Sequence, residues 1–296
     1  MVHQLHQNPV TSCIVCGVNR WHNVPSVTHS IRSLFDSVQV VRCAGCGLGR
    51  LDPLPSRIIV EAIYASDSYF QSYDHAGKSF VLSEETAERQ LEPRFTKLAS
   101  YLPGKGKMLD IGASRGIFLH QAALHGWSIF GLEAGIETIR FAKEHFGIHI
   151  EHGTLESTHL PESYYDCVHL SHVLEHLLDP RSSILTIAQC LKKGGVLVIE
   201  VPFEFGDLFD CFREVVLRRP RPVNDVPSSH LFFFTVRSLC LLLNTAGFDI
   251  LSSATPRRNQ SLDSRFPLGA GFKKGIYRVE QILKMGPLIE VFARKR

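Results

Sequence analysis

The sequence lacks long apolar segments and carries little net charge. It has no uninterrupted apolar run of the roughly 18 residues that a membrane helix needs, since residues 231–243, the best candidate, are broken by Thr235 and Arg237. No basic stretch followed by an apolar one opens the chain. We therefore expect neither a transmembrane segment nor a secretory signal peptide. The formal net charge of +3 is too small to favour nucleic acid as a partner.

The pattern of a disulfide framework is also missing. The eight cysteines include two close pairs, and the other four stand singly in mostly apolar surroundings: Cys167, Cys190, Cys211 and Cys240. This usage favours a reducing cytosol over an oxidising compartment. With 44% hydrophobic and 21% charged residues, the composition is that of an ordinary globular protein with an ample core.

Two cysteine pairs predict a metal site near the start of the chain. They read Cys13-x-x-Cys16-Gly17 and Cys43-x-x-Cys46-Gly47. Four thiolates suit a closed tetrahedral Zn²⁺ site, which leaves no open position for catalysis. The pattern therefore predicts a zinc ribbon in residues 1–60. Four free thiols and a redox dithiol are the alternatives, and the second lacks a flanking helical pattern.

A glycine-containing loop follows the short apolar run at residues 107–111. Gly112 and Gly116 can adopt positive φ and let a ligand approach the backbone where the next helix begins. Glu133 lies about 20 residues further on, at the tip of the next expected strand, where an acid suits two ribose hydroxyls. Together these features predict a nucleoside cofactor.

Two residues of this loop indicate which nucleoside is bound. A dinucleotide fingerprint reads Gly-x-Gly-x-x-Gly, whereas here Asp110 stands in the strand and Ser114 in the turn. An acid beside the loop repels a pyrophosphate but attracts an ammonium or sulfonium, which favours S-adenosylmethionine (SAM). The pattern Gly112-x-Ser114-x-Gly116 is also that of the nucleophile elbow of α/β hydrolases, with Ser114 as nucleophile. That alternative explains neither Asp110 nor Glu133.

Strands and helices alternate from residue 107 onward. We expect strands at 107–112, 128–133, 148–152, 166–171, 195–201, 248–254 and 288–294, and helices at 84–101, 116–125, 135–146, 180–191, 235–246 and near 275–285. Such alternation predicts an α/β fold with a parallel sheet between two layers of helices. The expected organisation is a zinc-ribbon module at 1–60, a connector and leading helix at 61–103, and a main domain at 104–296 with an insertion at about 202–234.

Several motifs of residues 84–296 resemble the class I SAM-dependent methyltransferase family, which has ubiquinone-pathway and sugar-modifying members. The resemblance lies in residues 108–116, 166–168, 172–180, 194–199, 230–235 and 246–248. It implies a seven-stranded, doubly wound, Rossmann-like sheet that binds SAM. The cysteine pairs followed by this core resemble the zinc-bearing methyltransferases of deoxysugar and surface-polysaccharide pathways.

The resemblance also implies a set of residues that hold SAM. They are Asp110, Gly112, Ser114, Gly116, Glu133, Thr154, Leu155 and His172. Thr154 stands where relatives often have an Asp for the adenine amine, and it is otherwise an ordinary loop residue. Leu155 is positioned to pack on the adenine face.

The segment His172-Val-Leu-Glu175-His176 has two interpretations. On a helix it would be the inverzincin pattern, with two zinc ligands on one face. However, it directly follows a strand, and Asp179-Pro180 ends any helix within a turn. Ubiquinone-pathway O-methyltransferases have an acid-x-x-Glu-His version that can hold Mg²⁺. Since His172 replaces the first acid here, we expect no catalytic metal. We expect Glu175 and His176 to orient one another and the SAM-side loop, with a substrate-facing His176 as the alternative.

His230 is the other candidate catalytic residue, besides His176. It precedes the aromatic run at residues 232–234, in a loop that lies near the donor methyl group in the family. There it would take a proton from an acceptor hydroxyl. The alternative is a structural histidine at the start of the following helix.

The sequence therefore predicts a cytoplasmic SAM-dependent methyltransferase acting on a small-molecule acceptor. The acceptor would be a sugar, a surface-glycan or a secondary-metabolite intermediate. Arginines of the insertion would hold the phosphate of a nucleotide-linked sugar, approach an anionic membrane, or form a solvated basic face. The rival from another class is a zinc-ribbon binding protein with a degenerate, non-catalytic SAM domain, which Ser114 and Thr154 favour. The α/β hydrolase is the third candidate.

Overall fold

The computed structural model describes residues 12–25, 38–60, 84–205, 208, 216, 218, 229–256 and 270–296. The expected connector at 61–83 and most arginines of the insertion lie outside these ranges. Among the described residues, no helix is both long enough and apolar enough to cross a membrane.

The larger sheet has seven strands. They are β4 (Lys107–Ile111), β5 (Ser128–Glu133), β6 (Glu151–His152), β7 (Tyr165–Ser171), β8 (Leu191–Pro202), β10 (Phe248–Ala254) and β11 (Leu288–Lys295), in the order β10-β11-β8-β7-β4-β5-β6. Strands β4 to β8 pair in parallel, and β11 is antiparallel to both β8 and β10. The central parallel strands β4, β7 and β8 consist mostly of buried residues, because helices cover both faces of the sheet. The expected doubly wound sheet is confirmed.

The helices follow the sequence expectation closely. They are α1 (Glu84–Tyr101), α2 (Ile117–Leu124), α3 (Ile136–Phe146), α4 (Pro180–Cys190), α5 (Val236–Thr245) and α6 (Ala270–Leu283). Thr235 caps α5 by accepting a hydrogen bond from the Ser238 N–H, and Asp179 caps α4 in the same way. Each of these two helices therefore begins directly after a polar residue that caps its first turn.

Two strand boundaries differ from the expectation. The strand expected at 148–152 is limited to Glu151 and His152. Strand β8 begins at Leu191 rather than at residue 195, so the glycine pair expected to separate helix from strand lies inside the strand. Gly194 has a φ of +78° there, and the pairing of β7 with β8 shifts register nearby. The strand accommodates the two glycines as a local irregularity in its pairing and continues beyond them.

The smaller sheet combines strands of the expected N-terminal module with one strand of the main domain. Its strands are β1 (Trp21–Asn23), β2 (Gln39–Cys43), β3 (Gly49–Asp52) and β9 (Phe232–Phe233), and all pairs are antiparallel. The sequence analysis did not identify β9 as a strand. Because β9 belongs to the insertion before α5, the N-terminal module (described at residues 12–25 and 38–60) and the main domain share one sheet. Leu48, Leu51 and residues 232–234 are likewise buried in one continuous core.

Candidate active site

The loop after β4 has the conformation that a close-approaching ligand requires. Gly112, Ser114 and Gly116 have φ values of +71°, +48° and +74°. A Cβ on Gly112 would lie 2.4 Å from the Val173 side chain, so only glycine fits. Ser114 adopts the left-handed region that glycine usually occupies, at a cost of about 1–2 kcal/mol. The departure from glycine at this position therefore leaves the loop in its glycine-like shape.

Glu133 lies against this loop at the end of β5. Its carboxylate accepts hydrogen bonds from the Ser114 N–H at 2.7 Å and from the Gly135 N–H at 2.8 Å. Burial raises the pKa of Glu133 above its usual value, although these N–H groups oppose the shift. Each carboxylate oxygen accepts one bond here and has a further lone pair for a ribose hydroxyl. The donor set thus fits the ribose end of a nucleoside.

Asp110 belongs to a buried polar chain that the sequence analysis missed. His169 Nδ1 lies 2.6 Å from Asp110 Oδ1, and His169 Nε2 lies 2.7 Å from Arg94 Nη1. Arg94 also pairs with Glu200 at 2.6 Å and Glu290 at 2.8 Å. Since a guanidinium only donates, His169 accepts at Nε2 and donates from Nδ1 to Asp110. Burial lowers the pKa of His169 and keeps this imidazole neutral.

Strand register is one feature by which the sequence could have indicated part of this buried polar chain. Asp110 and His169 are directly paired across β4 and β7. In the sequence of α1, the apolar residues Leu91 and Leu98 at helical spacing from Arg94 indicate its buried side, but they do not name its partners.

The segment expected to contact adenine makes its hydrogen bonds with neighbouring residues. Thr154 is exposed, and its hydroxyl lies 3.0 Å from the Ser157 hydroxyl. Leu155 is only 5% exposed and packs in the main core. His172 follows β7 with a φ of +56°, is half-exposed, and donates its backbone N–H to the Glu200 carbonyl.

Glu175 is the centre of a buried histidine cluster. A single 3-10 turn (Leu174–His176) follows β7 and buries Glu175 completely. One Glu175 oxygen lies 3.5 Å from His172 Nδ1 and 3.9 Å from His176 Nε2, and neither oxygen has a hydrogen bond within the described chain. Burial alone would raise the pKa of Glu175, but His172, His176 and His230 outweigh it and lower that pKa. One turn of this kind does not provide the α-helix that the inverzincin pattern needs.

His230 completes the cluster from a distant part of the chain. Its Nδ1 lies 2.6 Å from a Glu204 oxygen, and its ring meets the His176 ring edge-to-face at 4.8 Å. The Leu231 N–H donates to the Glu175 carbonyl at 2.8 Å, and His176 donates from Nδ1 to the Ser229 carbonyl at 3.1 Å. A carboxylate at Nδ1 leaves the Nε2 lone pair of His230 available as a base. No motif in the sequence indicated a role for Glu204.

The same cluster contains donors for a cation. Glu175, His176 and His230 each offer a ligand atom within 4.8 Å of the other two. The expectation that no catalytic metal binds here stays a prediction.

The four paired cysteines converge as expected. Cys13 and Cys46 sulfurs lie 3.6 Å apart, and Cys16 and Cys43 sulfurs lie 3.5 Å apart. Zn–S bonds of about 2.3 Å in a tetrahedron imply sulfur separations of about 3.8 Å. The hydrogen bond with Cys46 lowers the pKa of Cys13 to about 5, so one thiolate forms readily. These residues fit a four-sulfur zinc site.

Comparison with known proteins identifies the family. A family model described as a methyltransferase domain matches residues 83–253, more than half of the chain. The ubiquinone biosynthesis O-methyltransferase of Escherichia coli O7:K1 is 36% identical over 95 residues, which are 30% of this chain and 40% of that protein. The Salmonella newport enzyme of the same name is 36% identical over 106 residues, 34% of this chain and 43% of that protein.

Solved structures show the same fold. A SAM-dependent methyltransferase from Archaeoglobus fulgidus is similar with a TM-score of 0.50 and 22% identity, covering 77% of this chain and 100% of that one. Another from Thermotoga maritima gives a TM-score of 0.51 at 17% identity, covering 77% and 98%. The matches to the curated relatives span only about two fifths of those proteins. The fold, the loop and the matched domain together show that this chain belongs to the class I SAM-dependent methyltransferase family.

Proposed function

We propose that the protein transfers a methyl group from SAM to a small-molecule acceptor. The observation that carries this proposal is the position of the His–Glu cluster beside the cofactor loop. Gly112 follows β4 and His172 follows β7, and these neighbouring parallel strands lie about 4.8 Å apart. A cofactor on the loop would therefore present its reactive end to Glu175, His176 and His230.

The residues around the loop hold the cofactor. Glu133 binds the two ribose hydroxyls, and the backbone at Gly112, Ser114 and Gly116 lies along the nucleoside. Asp110, held by His169, supplies negative charge for the ammonium or sulfonium end. Thr154, Leu155 and His172 line the remaining sides. When bound, SAM supplies an electrophilic methyl group on a sulfonium.

His230 removes the acceptor proton. SAM held at the loop would supply the methyl group to the acceptor oxygen, with its demethylated thioether as the leaving group. The acceptor proton passes to Nε2 of His230, while Glu204 holds Nδ1 and stabilises the imidazolium that forms. The buried negative charge of Glu175 favours the same proton transfer, and His176 completes the wall of the site.

Two features bear on the identity of the acceptor. The curated relatives are named O-methyltransferases, which favours an acceptor hydroxyl. The cysteine pairs ahead of the core favour a sugar or surface-glycan intermediate, including a nucleotide-linked one. We place a structural Zn²⁺ on Cys13, Cys16, Cys43 and Cys46. We propose a cytoplasmic location, because two close cysteine pairs and otherwise single cysteines suit a reducing compartment.

The rival function is a partner-binding protein whose SAM domain has lost catalysis. The sequence features that favour it are Ser114 and Thr154, which depart from the family pattern at two cofactor positions. The glycine-like φ of Ser114 and the intact position of Glu133 weaken that support. Binding of SAM without turnover of any acceptor in a broad panel would favour the rival.

Replacement of Glu133 tests cofactor binding. Glu133→Gln should weaken SAM binding by about 1–3 kcal/mol, because the ribose hydroxyls lose a charged acceptor. The affinity is measured by isothermal titration calorimetry. Glu144→Gln, an exposed change on α3, is the matched control and should bind SAM like the wild type. Equal affinity in both variants would remove Glu133 from the site.

A further inference from the structure

A cleft lies where the N-terminal module meets the end of β8. It encloses about 590 Å³, within the range of about 300–1,000 Å³ usual for small-molecule sites. We call it the basic cleft because its lining includes five basic side chains: Arg20, His22, Arg42, Arg237 and Lys284. They come from separate segments, namely the strand β1 and the residue before it, β2, the first turn of α5, and the residue after α6.

Four of these side chains carry a full positive charge, and the negative groups that line the cleft with them are the thiolates of the proposed zinc ligands Cys43 and Cys46. A zinc ion on four thiolates leaves two net negative charges, fewer than the four positive ones. Among the described residues, no carboxylate lines the cleft, and none of the five basic side chains has an ion pair. Arg20 and Arg237 are exposed and make no side-chain hydrogen bond in the described ranges. Arg42 lies over the Phe205 ring at 5.1 Å, and Lys284 donates to the Ser253 hydroxyl at 3.0 Å. Like charges gathered in one concave space repel, so a bound anion would stabilise them.

The start of α5 adds to this positive field. Thr235, the N-cap residue of this ten-residue helix, lines the cleft together with Arg237. The positive end of the helix dipole therefore points at the same space as the guanidinium groups.

The cleft is also connected to the candidate base. Along the carboxyl edge of the sheet the order is β5, β4, β7, β8, so Glu133, Gly112, His172 and Phe203 follow one another. Phe203 lines the cleft and adjoins Glu204, and Thr235 lies five residues after His230. Because Glu204 contacts His230, the cleft is connected to the candidate base through Phe203 and Glu204, at the β8 end of this order, whereas the cofactor loop lies at the β4 end.

We propose that the basic cleft binds the phosphate or diphosphate group of the acceptor. Arginine is suited to this role because its planar fork matches two phosphate oxygens at once. The role as acceptor rests on the proposed methyl transfer, whereas the binding of phosphate does not.

The test is calorimetric titration of the full zinc-loaded chain with uridine diphosphate and, separately, with inorganic phosphate at low salt. Arg20→Gln and Arg237→Gln should each raise the dissociation constant about tenfold or more, because each removes a charge-assisted hydrogen bond. Arg278→Gln, an exposed change on α6 outside the cleft, is the control and should bind like the wild type. The affinity for SAM should be the same in all four proteins.

The probes separate the sources of the phosphate. Binding of uridine diphosphate alone supports a nucleotide-linked acceptor, and comparable binding of both probes supports a simple phosphate ester. Absence of binding by either probe, or an equal loss in Arg278→Gln, overturns the proposal. So does an RNA oligonucleotide that binds far more tightly than both and is weakened by the same variants. If SAM fails to bind while the arginine effect holds, the proposed methyl transfer fails and the anion site stands.

Discussion

At the scale of single residues, the chemistry depends on how buried ionisable groups are paired. His230 is only 4% exposed, and Glu204 occupies one ring nitrogen. Glu175 is fully buried among three histidines without a hydrogen bond to its carboxylate in the described chain. Such a carboxylate is costly to bury, and clusters of this kind are typical of functional sites.

His230→Gln tests the base. Glutamine keeps rough size and polarity but cannot accept the proton, so turnover should fall about 10²–10⁴-fold while SAM affinity is unchanged. Methyl transfer is measured as the amount of demethylated cofactor that forms. His149→Gln, an exposed histidine far from the cluster in sequence, is the control. Normal turnover by His230→Gln on the true acceptor would assign the residue a structural role and move the search to His176.

The buried histidines also predict how stability depends on pH. Burial lowers the pKa of His176 to about 4, whereas the unfolded chain titrates near 6.5. Between these values the unfolded state binds a proton that the folded state excludes, so the free energy of unfolding falls as the pH falls. This group should contribute a loss of about 2 kcal/mol between pH 6.5 and 5.

Urea denaturation at pH 7 and pH 5 measures this effect. His176→Gln should be less sensitive to acid than the wild type, while His149→Gln should keep the wild-type difference. An unchanged pH dependence in His176→Gln would show that this imidazole does not stay neutral in the folded state.

At the scale of elements, the N-terminal module is attached to the loop that carries His230. Strand β3 pairs with β9, and the Leu51 N–H donates to the Leu231 carbonyl at 3.0 Å. Thr235 donates its hydroxyl to the Cys46 carbonyl at 3.3 Å. The cysteine site and the candidate base are therefore connected through a few residues of sheet.

Loss of the metal should accordingly impair turnover more than cofactor binding. Cys43→Ser should lower the zinc content below one ion per chain and slow methyl transfer on the order of 10²-fold, because a small displacement of His230 misaligns the base. SAM affinity should change little. Hydrogen exchange should quicken at residues 229–235, and Cys240→Ser should behave like the wild type. Exchange and turnover that stay normal in zinc-free protein would refute this coupling.

Helix α1 is tied to the sheet by one buried cation. Arg94→Met would leave Glu200 and Glu290 buried without their partner, which should cost about 3–5 kcal/mol of unfolding free energy. Arg89→Met, an exposed change on the same helix, should cost little. Urea unfolding followed by the fluorescence of buried Trp127 compares the two. Similar stability of both variants would mean that the Arg94 network is not stabilising.

At the scale of the whole molecule, one edge of the sheet arranges the functional parts in order. The cofactor loop lies at β4 and β5, the His–Glu cluster at β7, and the basic cleft beyond β8. The smaller sheet closes this edge by adding β9 to the N-terminal module. The order follows from parallel strands, whose carboxyl ends meet at one side.

The sequence by itself determined the local features of this protein. Apolar periodicity predicted the helices and the strands of the larger sheet, glycines marked the cofactor loop, and fixed spacing indicated the four-cysteine site. These signals are short-range, because hydrophobic alternation, turn chemistry and ligand spacing are properties of neighbouring residues.

Only the tertiary structure decided which distant groups meet. Glu204 reaches His230, Arg94 reaches Glu290, and β9 joins β3, although each pair is far apart in the chain. A two-residue strand and a single buried arginine carry no periodic signal. Their positions depend on how the other elements pair and pack. A buried charge or a strand edge is stable only where that packing places a partner beside it.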